Sequence, residues 1–75
     1  MGSKFPALSS REIVNALHKV GFAEVSQRGS HRKLKNNSDS PRTVIVPMHD
    51  EVARGTLRAI LEQANIDLET FLELL

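Results

Sequence analysis

The 75-residue chain has no cysteine, tryptophan or tyrosine. Without cysteine there is no disulfide, no thiolate zinc site and no thiol nucleophile, a composition that suits a reducing cytoplasm. Three phenylalanines, all at expected core or terminal positions, are the whole aromatic content, so base stacking cannot dominate a contact with nucleic acid. No run of 18 or more apolar residues exists, and the first residues lack a signal-like hydrophobic stretch. Neither membrane insertion nor export is therefore expected. Met1-Gly2-Ser3 reads as an expression remnant, and Pro6 stands where a myristoylation signal needs Ser or Thr. A glycine-rich phosphate loop, a Gly-x-Ser-x-Gly elbow and a carboxylate pair facing a common site are missing too.

What is present fits one domain, residues 1–75, with residues 1–8 expected as a flexible N-terminal segment. A chain of this size buries about 60–65% of its unfolded surface, too little to enclose a deep pocket. An enzyme built on it acts on something held against an open surface, and a polymer suits that better than a buried metabolite. The net charge is +1, yet the signs are segregated. Arg28, Arg32, Lys33, Lys35 and Arg42 face one acid, Asp39, in the middle of the chain, whereas Asp50, Glu51, Glu62, Asp67, Glu69 and Glu73 dominate the rest. A basic middle is a phosphate-facing patch or an ordinary solvated strand, and charge alone does not separate the two.

Ser9-Ser10-Arg11-Glu12 has the form of a capping box. Behind it Ile13, Val14, Ala16, Leu17 and Val20 recur at helical spacing up to Gly21, a residue suited to a helix C-cap, with Phe22 folding back. From Ala23 to Arg28 a weak strand alternates, with Ala23, Val25 and Gln27 on one side and Glu24, Ser26 and Arg28 on the other. Gly29-Ser30 forms a tight turn. His31, Lys33 and Lys35 then share one strand face, with Arg32 and Leu34 on the other. A turn-rich loop spans Asn36 to Pro41, and Thr43 to Val46 is a β-branched strand stopped by Pro47. Met48 to Ala53 reads as a loop with one helical turn. Gly55-Thr56 opens a second helix carrying Leu57, Ile60, Leu61 and Ala64, closed by Asn65 with Ile66 as its hydrophobic contact. Asp67 caps a short last helix with Leu68, Phe71, Leu72 and Leu75 as its stripe. The order is α-β-β-β-α-α, an α+β sandwich with a three-stranded antiparallel sheet and helices on one face. The other sheet face has no helix to cover it, and the basic residues lie there or along its edge.

Histidine is the side chain whose ordinary pKa suits proton transfer near neutrality, and the chain has three. Three scattered histidines without cysteine do not form a metal-binding pattern. His18 falls on the polar arc of the first helix. His49 follows Pro47-Met48 beside Asp50, where it holds the loop or assists a ligand. His31 stands in the basic segment, just after the Gly29-Ser30 turn. A histidine among cations has the parts to cleave RNA: the cations hold the phosphodiester while the imidazole moves a proton to or from the 2′-hydroxyl or the departing oxygen. The 2′-hydroxyl is then the internal nucleophile, and neither metal nor other cofactor is needed. Taken residue by residue, a structural or merely exposed His31 fits somewhat better than a catalytic one.

The assembled pattern resembles the HicA toxin family, also described as YcfA-like. The blocks are the capped helix ending in Gly21-Phe22, Arg28-Gly29-Ser30-His31, Val46-Pro47-Met48-His49, and Gly55-Thr56-Leu57-Arg58-Ala59-Ile60-Leu61 leading to Ala64-Asn65-Ile66. The family pattern often has an aromatic or larger apolar residue soon after its histidine, where this chain has Arg32-Lys33-Leu34. The resemblance implies a double-stranded-RNA-binding-like α-β-β-β-α fold and cytoplasmic mRNA cleavage, neutralised by a HicB-type antitoxin. It makes His31 the catalytic residue and Gly29-Ser30 the turn that presents it. Arg28, Gly29, Ser30, Arg32, Lys33 and Lys35 form the expected RNA-binding set, with His49 as an auxiliary. The alternative is a non-catalytic RNA-binding module.

Overall fold

The computed structural model describes residues 7–75 and arranges them as α1 (Ser10–His18), β1 (Phe22–Arg28), β2 (His31–Asn36), β3 (Thr43–Pro47), α2 (Arg54–Ala64) and α3 (Leu68–Glu73). The α+β order is the expected one. The strands form one antiparallel sheet in chain order, and the Cα positions span only 17 Å in the thinnest direction, room for one sheet and one helix layer. No helix is long and apolar enough to cross a membrane among the described residues.

Local chemistry sets the element ends. Ser9 accepts from the Glu12 amide while the Glu12 carboxylate accepts from the Ser9 amide, completing the capping box. α1 closes at Gly21, whose φ of +94° favours glycine. Asn65, at φ 58° and ψ 45°, ends α2, and the amides of Asn65 and Ile66 donate to the carbonyls of Glu62 and Leu61. That pairing is a Schellman closure. Asp67 caps α3, and the hydrogen bonds from Thr70, the backbone amide foremost, hold its carboxyl below the usual carboxylate range. The stability this cap adds is present above that range and fades as pH falls through it.

The core lies between the sheet and the helices. Ile13, Val14, Ala16 and Leu17 from α1 and Leu57, Ile60, Leu61 and Ala64 from α2 meet Phe22, Leu34, Val44 and Val46 of the sheet. α3 adds Phe71, which is wholly buried. Val20 and Leu75, expected on apolar stripes, are instead exposed, because α1 has ended before Val20 and Leu74 packs on the core in place of Leu75. No helical turn forms between Met48 and Ala53; Val52 instead pairs with Leu8 in an isolated bridge. Leu8 is buried by that bridge, which corrects the expectation of flexibility up to residue 8. Residues 1–6 of that segment lie outside the described residues.

β1 departs from simple alternation. Glu24 pairs with Leu34 and Ser26 with Lys33, so Val25 is an extra residue bulged out of the ladder and exposed. Phe22, Glu24 and Gln27 consequently face the helices, while Ala23, Ser26 and Arg28 face the open side. The expected grouping of Ala23, Val25 and Gln27 against Glu24, Ser26 and Arg28 fails because it assumes an unbroken period of two.

Candidate active site

The hairpin between β1 and β2 is the tightest turn of the sheet, with Arg28 opposite His31 and two residues between them. Gly29 takes φ +58°, the positive value a two-residue hairpin turn demands at its first central position. A Cβ there would meet nothing within 4 Å, so backbone conformation rather than space calls for glycine. The Ser30 carbonyl accepts from the Met48 amide at 2.6 Å, tying the turn to the chain leaving β3.

His31 begins β2 and is exposed on the open sheet face. Lys33 and Lys35 follow on that face, and Leu34 points into the core. Cross-strand pairing brings Arg28 and Pro47 beside His31, and Ser26 and Ile45 beside Lys33. Together Ser26, Gln27, Arg28, His31, Lys33 and Ile45 line a groove of about 450 Å³. The side chains of His31, Arg28, Lys33 and Lys35 make no hydrogen bond or ion pair among the described residues, so the imidazole and three cations are free to meet a ligand.

The other two cations of the basic segment, Arg32 and Arg42, are committed elsewhere. Arg32 lies on the helix-side face, where its guanidinium donates to Glu24 at 2.9 Å and to Gln27 at 3.4 Å. Of the expected RNA-binding set, Arg32 stands on the side of the sheet away from His31. Arg42 donates to the carbonyls of Gln63 and Glu62 at the end of α2, and the Gln63 side chain accepts from the Ile45 amide on the outer edge of β3. His18 is exposed and lies 4.0 Å from Glu24. The His49 side chain is exposed beside Ser9, Ser10, Arg11, Met48 and Asp50, in a different depression from that of His31.

Ser10 escaped the sequence reading. Its hydroxyl donates to the Pro47 carbonyl and accepts from the His49 amide, and its own amide donates to the His49 carbonyl. Only the small polar side chain at the start of α1 could have hinted at this, because the partners lie 37 and 39 residues away.

A family model for the HicA toxin of bacterial toxin-antitoxin systems matches residues 10–66. The chain belongs to the HicA toxin family. Comparison with curated proteins gives no match. The HicA match takes in α1, the whole sheet, the His31 turn and α2, and stops just before the Asp67 cap of α3. Among the described residues of this HicA domain, no group of three histidine or acidic side chains is placed to hold a metal ion.

Proposed function

We propose that this HicA toxin is a metal-independent endoribonuclease that cuts mRNA in the cytoplasm, with His31 as its acid/base. The observation that carries the reading is an exposed imidazole, without a partner among the described residues, on a sheet face shared with Arg28 and Lys33. In the reaction the 2′-oxygen forms a bond to phosphorus as the bond from phosphorus to the 5′-oxygen breaks. His31 takes the 2′-proton while water protonates the departing 5′-oxygen, or His31 protonates that oxygen while water takes the 2′-proton, and Arg28 and Lys33 balance the charge that grows on the phosphorane. Gly29 and Ser30 set the turn that presents the ring, and Lys35 extends the cationic track along the strand. His49, in its separate depression, is left the auxiliary part of binding the flanking chain. The partner in the toxin–antitoxin pair is a HicB-type antitoxin that neutralises the toxin by covering this face.

The chemistry is tested with an end-labelled RNA and its twin carrying one 2′-deoxynucleotide at the cut position, both in excess chelator. Scission of the first and survival of the second at that position is the expected result. Cutting of both strands alike overturns the internal nucleophile. Binding without any scission makes the chain an RNA-binding module instead.

Three free cations on one face also fix a salt response. Neutralising about three phosphates of a single strand gives a log–log slope of roughly −2, so affinity drops roughly twentyfold between 50 and 200 mM salt. Lys35→Ala should shrink the slope by about 0.7, which a fluorescence anisotropy series reads directly. A slope near zero refutes ionic docking on this face.

A further inference from the structure

We propose that Ser10 is a positioning residue for His31, acting through a backbone clamp that joins the start of α1 to the hairpin turn. Ser10 is the only buried polar residue among the described residues, at 1% exposure. It grips both ends of the segment Pro47–His49: the hydroxyl reaches the Pro47 carbonyl and the His49 amide, and the Ser10 amide reaches the His49 carbonyl. Between those ends Met48 sends its own amide to the Ser30 carbonyl, and Pro47 lies opposite His31 in the ladder. Every step from Ser10 to the imidazole-bearing residue is thus a hydrogen bond or a peptide bond.

A hydroxyl that donates and accepts inside a core has no slack. Its removal leaves a carbonyl and an amide without partners together, and a buried group in that state costs far more than the bond contributed. The segment must then shift to find water or a new partner, and it takes the Met48 amide with it. The turn on the far side contains Gly29, whose backbone lacks the restraint a Cβ would impose. Ser30 and His31 therefore move when Met48 moves. Proton transfer is unforgiving of this, since a displacement of about 1 Å costs up to about a hundredfold in rate.

The test compares Ser10→Ala with Ser9→Ala, which weakens the same helix start through the neighbouring hydroxyl but touches none of the clamp. Both are studied where circular dichroism shows them folded. Amide exchange followed by NMR should show Met48 and His49 in the wild type as slow as the β2–β3 ladder, with both accelerated at least roughly tenfold more by Ser10→Ala than by Ser9→Ala. In RNA cleavage, Ser10→Ala should lower kcat roughly ten- to a hundredfold with KM held within about twofold, and Ser9→Ala should leave both unchanged. Fast exchange at Met48 and His49 in the wild type removes the clamp, and that measurement decides the matter if Ser10→Ala does not fold. Equal responses of the two variants remove it too. A loosened Met48 amide with wild-type kcat severs the link to His31. The kinetic arm rests on the RNA-cutting reading; if even the wild type leaves RNA intact, that reading fails while the exchange arm still judges the clamp.

Discussion

His31→Ala should lower RNA cleavage by about 10²–10⁴-fold, the range expected when a general acid or base is removed. The fold should not notice. The ring is exposed and makes no hydrogen bond or ion pair among the described residues, and surface substitutions of that kind stay within about 0.5 kcal/mol of the parent. Two measurements belong together: single-turnover cleavage of a labelled RNA, and a thermal melt of the same preparation. Arg28 and Lys33 remain in the variant, so RNA binding should survive nearly unchanged while scission is lost. In cells, induction of the variant should leave growth and mRNA length as in uninduced controls. A variant that still cuts RNA and still stops growth would sink His31 as the catalyst, whatever the family.

Phe71→Ala has the largest expected effect on stability, about 3–5 kcal/mol from lost burial and the cavity left behind. Phe71 sits on α3, beyond the segment matched by the family model, yet it is fully enclosed by the core. A small domain has a net stability of roughly 5–15 kcal/mol, and one this short belongs near the bottom of that range. With about 4–8 °C lost per kcal/mol in domains of this size, the melting midpoint should fall by roughly 12–40 °C. A melt followed by circular dichroism reads this directly. The variant should be largely unfolded at 37 °C and lose toxicity for that reason alone, although the groove lies on the other side of the sheet. A drop below about 1 kcal/mol would mean that α3 is an appendage and that the matched segment stands by itself.

The parts of this architecture governed by neighbours in sequence were legible before the structure. The capping box at Ser9 and Glu12, the Asn65 closure with Ile66, the Asp67 cap, and the shared face of His31, Lys33 and Lys35 each depend on residues at most five positions apart. Helical stripes were legible as far as helical geometry lasted. Val20 and Leu75 fell outside because periodicity in a string does not say where the last turn stops. The charge of the middle segment left its role open for a different reason. Arg32 and Arg42 have the composition of a phosphate patch, but Glu24 takes one and the carbonyl end of α2 takes the other. Which cations remain available is decided by tertiary neighbours. The same holds for Ser10, whose partners arrive from across the chain, and for Leu8, whose burial depends on a bridge to Val52.

The bulge at Val25 makes residue count in β1 as consequential as residue type. Phe22 and Arg28 are six positions apart, an even interval that an uninterrupted strand would send to one and the same side. The supernumerary valine makes that interval effectively odd, so a single short strand anchors an aromatic ring inside and delivers a guanidinium outside. Excising one residue here, or adding a second, would leave every functional side chain chemically intact and yet swap which of the two ends is in phase. Length variation in this stretch would therefore turn Arg28 away from the His31 face without altering any side chain on it.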